Sequence, residues 1–228
     1  MSSSQIHADT KEQAENNITV TTILAVRHGE TEWNRIGKQQ GHLDSNLTAL
    51  GLEQARRTGD QLARLSCDVI YCSALGRAIR TAEIIARRTG LEIARDSGLN
   101  ERNLGIVQGH TLKEFAAAYP DEYERYISND PDYIIPGGES VRQRYERTMN
   151  AVKNITGRNA GKTLILVMHG GNLDSLFRYV LDIPLQNPRN FSLVNGSINT
   201  FSVENDAWKV ASWGEVSHLL DIGALDDF

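Results

Sequence analysis

The chain predicts an α/β fold: a three-layer sandwich with a mostly parallel central sheet, helices on both faces and a small helical lid insertion. Three observations point there. Two short apolar runs of strand length, Ile23-Leu24-Ala25-Val26 and Thr163–Met168, each lead to a histidine followed by glycine. Helical periods follow the strands after brief links, the alternation of parallel βαβ units. The 228 residues are 40% hydrophobic and 23% charged, enough for one domain to bury a sizeable core.

In order along the chain, residues 1–17 are polar without an apolar core, so they read as a disordered tail rather than a signal peptide or anchor. A single domain is expected over 18–228. The first strand is predicted at about Thr21–Arg27, followed by a loop from Gly29 to Asn46. A helix from about Thr48 to Leu65 has Thr48 as N-cap and a buried stripe of Leu52, Ala55, Gly59 and Leu62. A strand at Val69–Cys72 leads straight into a helix at Leu75–Arg88, with Leu75, Ala78, Ala82 and Ile85 inward and Gly90 as the stop. A short strand covers Leu91–Arg95.

Residues 106–138 are irregular and read as the lid. They carry short helices near Thr111–Tyr119 and Asp121–Ser128, then Pro131, Pro136 and Gly137-Gly138. A helix follows from Ser140 to about Ile155, then the strand Thr163–Met168 and a helix from Asn172 to Leu181. Alternation at Ser197–Val203 and Trp208–Trp213 predicts two strands, antiparallel at an edge. Cys67 and Cys72, five residues apart along a strand, stand about 16 Å apart, too far for a disulfide. Free thiols fit a cytoplasmic setting.

The chemistry gathers at the carboxyl ends of the strands, where α/β sheets bind ligands. Arg27 and His28 follow the first strand, Arg77 lies in the first turn after the second, Glu101 in the loop after the third, and His169 after the fourth. Two imidazoles, two guanidiniums and a carboxyl group suit phosphoryl transfer. Arginine forks match phosphate oxygens, a neutral imidazole is a nucleophile near pH 7, and a carboxyl group can protonate a leaving oxygen. The helix start at Gly170-Gly171 adds backbone N–H donors. With a formal net charge of −5 the chain lacks the basic footprint of a nucleic-acid binder, and its apolar runs are too short to span a bilayer.

The string Arg27-His28-Gly29-Glu30-Thr31-Glu32-Trp33-Asn34 resembles the signature of the histidine phosphatase superfamily, which includes the cofactor-dependent phosphoglycerate mutases. Gly41-x-x-Asp44-x-x-Leu47-Thr48-x-x-Gly51, Ser73-x-Leu75-x-Arg77-Ala78-x-Arg80-Thr81-Ala82, Leu99-x-Glu101-x-x-x-Gly105-x-x-x-Gly109 and His169-Gly170-Gly171 extend the likeness, in order, to about residue 181. The resemblance implies that His28 is the nucleophile and Glu101 the proton donor. Arg27, Arg77 and His169 would bind the phosphoryl group. Asn34, Gln40 and Gly170 would line its pocket. It implies no metal and no cofactor, except a 2,3-bisphosphoglycerate primer if the chain is a mutase. The expected partner is a small phosphorylated metabolite, with no nucleic acid or membrane. Oligomeric state is left open, a homodimer being one option.

Competing readings carry less. Glu30 and Glu114 are rival carboxylates to Glu101, and Asn and Gln in loops often serve as turn formers. His28-Gly-Glu30 resembles the H-x-E of zinc deaminases, but the accompanying P-C-x-x-C is missing. No nucleotide P-loop is present. His42 and His110 are read as pocket-lining at most, and His218 and His7 as uninvolved. A phosphatase is favoured over a mutase on three departures: His42 rather than tryptophan follows Gly41, no aromatic pair follows the acid, and the lid carries Arg125 alone. A non-catalytic phosphate-binding protein ranks last, because His28 and Glu101 are both present. Phe115, Tyr119, Tyr123, Tyr126 and Tyr133 are expected either to shape the substrate pocket or to form the lid's own core.

Overall fold

Six strands make one sheet in the order β3-β2-β4-β1-β5-β6. They are β1 (Val20–Arg27), β2 (Val69–Cys72), β3 (Ile93–Arg95), β4 (Thr163–Met168), β5 (Ile198–Glu204) and β6 (Ala207–Glu215). The computed structural model describes residues 19–222. The segment read as a disordered tail, with His7, lies outside them. The first four strands in sheet order are parallel, and β5 and β6 add an antiparallel edge, as the alternation predicts.

β1 and β4 lie side by side at the centre and are buried on both faces, which explains their unbroken apolar sequences. Their side chains alternate between two cores. Leu24, Val26, Ile165 and Val167 face α2 (Ala49–Leu62) and α3 (Gly76–Thr89). Ile23, Ala25, Leu164, Leu166 and Met168 face α6 (Val141–Arg158) and α7 (Gly170–Val180). Burying each such side chain contributes about 1.5–3 kcal/mol, and a one-residue slip would exchange the two sets. The pair Arg27↔Met168 closes the register, so His28 and His169 leave the sheet side by side.

The lid has its own small core. α4 (Leu112–Ala118) and α5 (Pro120–Ile127) enclose Phe115 with Leu104, Val107, Tyr133 and Ile135, while Tyr123 and Tyr126 pack against it. Tyr119 is largely exposed.

Three sequence expectations need correction. Leu52 is 39% exposed, whereas the rest of the predicted stripe, Ala55, Gly59 and Leu62, is buried together with Gly51, Gln54 and Thr58. The reason is steric. A Cβ on Gly51 would stand 2.0 Å from the Glu30 carbonyl oxygen, and one on Gly29 would stand 2.3 Å from that of Gly51. This backbone contact sets the helix rotation and turns Leu52 outward. A four-residue helix, α1 (Glu32–Arg35), interrupts the loop expected from Gly29 to Asn46; Thr31 and Asn34 cap it reciprocally. Finally, α7 begins at Gly170 rather than Asn172, because His169 serves as its N-cap residue and two glycines conceal the first turn from propensity.

Candidate active site

The backbone of His28 extends the pairing of β1 with β4, its N–H donating to the Met168 carbonyl at 3.0 Å. Asn195 holds the His28 carbonyl at 2.8 Å. The next residue runs against Gly51, a contact that tolerates no side chain on either partner. The loop after β1 is thereby locked to the start of α2.

Within this frame His28 Nδ1 lies 2.8 Å from the Gly29 carbonyl oxygen. A carbonyl can only accept, so Nδ1 carries the proton and the lone pair is on Nε2. Burial, first, and then the charges of Arg77 and Arg27 push the His28 pKa well below 6.5. The ring is therefore neutral and nucleophilic at physiological pH.

His169 meets His28 with ring centroids 5.1 Å apart and planes at 60°. It is fully buried, and burial again is the first cause that holds it neutral. Its Nε2 is 2.8 Å from Ser73 Oγ. The Ser73 hydroxyl donates to Asn100 Oδ1 at 2.9 Å, and the same Oδ1 accepts the Ala74 N–H. With the Ser73 proton so engaged, His169 carries its own proton on Nε2 and donates it. Sequence reading placed Ser73 at the head of the motif that opens the helix after β2 but gave it no role, and it did not single out Asn100, whose signal was only its position beside Glu101.

Arg27 and Arg77 are both buried. Arg27 donates through Nη1 to the Leu193 carbonyl. Arg77 donates to the Leu43 and Gly41 carbonyls, each at 2.9 Å, and pairs with Asp44 at 2.7 Å. Asp44 also accepts the Gly76 N–H at 2.7 Å, capping α3, whose own N-cap residue Leu75 supplies no side-chain bond. One carboxylate thus starts the helix and fixes its arginine.

Glu101 is half-buried, its two oxygens accepting the N–H groups of Arg102 at 2.7 Å and Gly171 at 2.9 Å. Its loop is strapped by Arg147, which donates to the carbonyls of Gly98, Asn100 and Glu101 and pairs with Glu139. Glu139 in turn accepts the Asn103 N–H. The sequence signal for this strap was faint: a Gly-Gly-Glu-Ser start and an arginine eight residues beyond the Glu. Rival Glu30 faces α2, accepting from Thr48 Oγ1 at 2.6 Å. Glu114 is spent on capping α4.

Arg27, His28, Asn34, Gln40, Arg77, Glu101 and Gly170 all line one cavity of about 1030 Å³. Seven basic side chains line it against three carboxylates, a local reversal in an acidic protein. His169 is behind this wall, touching His28. His42 and His110 are not among the lining residues, although His42 Nε2 lies 2.9 Å from the Glu101 carbonyl. His218 bonds to Thr58 and Gly196 instead. Of the lid aromatics, Tyr126 and Tyr133 reach the cavity. No group of three or more His, Cys, Asp or Glu side chains among the described residues is arranged to hold a metal ion. No described helix is long and apolar enough to cross a membrane.

A neutral nucleophilic imidazole at the tip of a parallel sheet, ringed by guanidiniums and faced by one carboxyl group, defines a phosphoryl-transfer enzyme. The chain belongs to the histidine phosphatase superfamily (branch 1), whose model matches residues 23–216. It is 38% identical over 207 residues to phosphoglycerate mutase-like protein 4 of Arabidopsis thaliana, covering 89% of both chains. It is 37% identical to the metal-independent phosphoserine phosphatase of the same plant, covering 90% of this chain and 86% of that one. The structure of Bacillus stearothermophilus YhfR superposes with a TM-score of 0.82 at 33% identity, over 87% of this chain and 99% of that one.

Proposed function

We propose that this enzyme hydrolyses small phosphomonoesters in two steps through a phosphohistidine on His28. The carrying observation is the His28 ring itself, neutral, with Nδ1–H held by the Gly29 carbonyl and Nε2 left to attack. In the first step Nε2 forms a bond to phosphorus, the ester P–O bond breaks, and the Glu101 carboxyl proton goes to the leaving oxygen. In the second, water attacks phosphorus, its proton goes to Glu101, and the P–N bond breaks to release inorganic phosphate. Arg27, Arg77 and the N–H groups opening α7 neutralise charge on the equatorial oxygens. His169 backs the nucleophile and turns its Nε2–H from Ser73 to the phosphoryl group. Asn34 and Gln40 complete the pocket wall.

The reading includes independence from metal and organic cofactors and an intracellular, reducing setting; both cysteines are free thiols. Hydrolysis is favoured over mutase chemistry by the lid. Its one arginine, Arg125, is on Glu122 and the Tyr133 ring, and it does not line the cavity.

Brief incubation with a radiolabelled phosphomonoester should leave acid-labile, base-stable phosphate on the protein and none on His28→Ala. Glu101→Gln should slow formation of the phosphohistidine by on the order of 10²–10⁴ on alkyl phosphates and by much less on p-nitrophenyl phosphate, whose leaving group needs no proton, as single-turnover labelling would show. Activity should survive EDTA. Label on His28→Ala equal to wild type sinks the mechanism. Isomerisation of 3-phosphoglycerate with 2,3-bisphosphoglycerate outrunning hydrolysis replaces the phosphatase with a mutase.

A further inference from the structure

The carbonyl that fixes the His28 tautomer is itself held from behind. It belongs to the peptide joining Gly29 to Glu30, and the N–H of that same peptide donates to Gln54 Oε1 at 2.8 Å. Gln54 of α2 is 1% exposed and does not line the cavity. Glutamine is seldom so buried, and an amide group removed from water needs a partner to offset its desolvation. The close approach of Gly29 to Gly51 brings the second turn of α2 within reach of the Glu30 N–H. Gly196 confines the Gln54 stem from the other side: a Cβ there would stand 3.1 Å from Gln54 Cβ. The preceding peptide is fixed separately. Asn195 holds its carbonyl at 2.8 Å, and its N–H donates to Thr81 Oγ1 at 3.1 Å. Those bonds place the loop, whereas Gln54 stands in line with the imidazole, because a trans peptide directs its N–H and C=O to opposite sides.

We propose that Gln54 is a positioning residue for the nucleophile: through the Gly29–Glu30 peptide it orients and polarises the carbonyl that holds the His28 Nδ1–H, and so makes Nε2 the stronger nucleophile. Linked hydrogen bonds polarise one another. The link matters most during transfer. The Nε2 lone pair forms the bond to phosphorus while the Nδ1 proton stays in place, so the ring becomes cationic. Its bond to the Gly29 carbonyl is then charge-assisted and roughly twice as strong as a neutral one. In the second step the P–N bond pair returns to Nε2 and the ring is neutral again. The two steps therefore respond with opposite sign: a firmly held Nδ1–H favours making the P–N bond and opposes breaking it. The kinetic part of this inference rests on the phosphohistidine reading; the hydrogen-bond chain does not.

Gln54→Met keeps the side-chain volume and removes the acceptor. In single-turnover labelling it should slow phosphorylation of His28 about fivefold, the worth of one hydrogen bond. Cleavage of the isolated phosphoenzyme should be as fast as in wild type or faster. The His28 Hδ1 proton resonance, assigned by its loss in His28→Asn, should move upfield in Gln54→Met. Equal slowing of both steps, or an unmoved resonance, overturns the proposal and leaves Gln54 a residue of the packing alone. A second measurement, on wild type, does not depend on the variant folding. Inorganic vanadate, which takes the place of the phosphoryl group, should move His28 Hδ1 and the Glu30 amide proton downfield together. A shift of His28 Hδ1 alone overturns the proposal. Coupled shifts in an enzyme that yields no labelled phosphohistidine retain the hydrogen-bond chain and refute the phosphohistidine reading. Label on His28 without coupled shifts does the reverse.

Discussion

His169 is as instructive as His28, because its role depends on which nitrogen bears hydrogen. The Ser73 hydroxyl is committed to Asn100, so Ser73 Oγ can only accept from His169. Removing that acceptor frees the imidazole to take the other tautomer, which offers a lone pair where a donor is wanted. Ser73→Ala should lower kcat by about fivefold, the worth of roughly 1 kcal/mol for a lost hydrogen bond, with KM nearly unchanged. Ser73→Thr should restore most of it, as steady-state kinetics on one phosphomonoester would show. Residue types and spacing were enough to bring His28, Arg27, Arg77 and Glu101 to one cavity. They were not enough to reveal Arg147, and they gave Asp44 only as a letter of a motif, without its hold on Arg77 and on the start of α3. Those act through contacts between segments distant in sequence, and an arginine on a helix looks the same from sequence whether it is solvated or buried on a carboxylate.

Among the elements, β1 with its following loop and α2 form one unit. The Gly29–Gly51 approach lets Glu30 reach Thr48 and Gln54, and that turns Glu30 away from the chemistry. Gly29→Ala forces a backbone atom to move, and overpacking of this kind costs about 1–3 kcal/mol. Urea unfolding should show the loss as a lower midpoint with an unchanged slope. Strands β1 and β4 were legible because burial on both faces leaves an unbroken apolar signature. The inward face of α2 was not, because its closest contact is made by a glycine, which periodicity scores as nothing. The start of α7 was hidden for the same reason.

Across the whole molecule, two neutral histidines at the heart of the fold make stability depend on pH. Burial is the first cause of lowering for His28, His169 and also His218. In the unfolded chain each imidazole titrates near 6.5; in the folded one it stays neutral to lower pH. Below about 6.5 the unfolded state binds more protons, so stability is full above that value and falls as pH drops towards the folded pKa. Each such histidine adds a slope approaching about 1.4 kcal/mol per pH unit. Unfolding free energies measured from pH 7.5 to 5.0 should decline in wild type and decline less steeply in His169→Asn.

Arg27 and Arg77 are anchored on the carbonyls of Leu193, Gly41 and Leu43, acceptors that belong to the fold itself. Immobilising a long side chain at an interface costs about 0.5–1.5 kcal/mol of rotamer freedom. Here that ordering is completed when the chain folds, not at each encounter with substrate. Little conformational entropy is then lost on capture or regained on departure. Inorganic phosphate need not drag a relaxing side chain with it, and the vacant site is at once ready for the next ester.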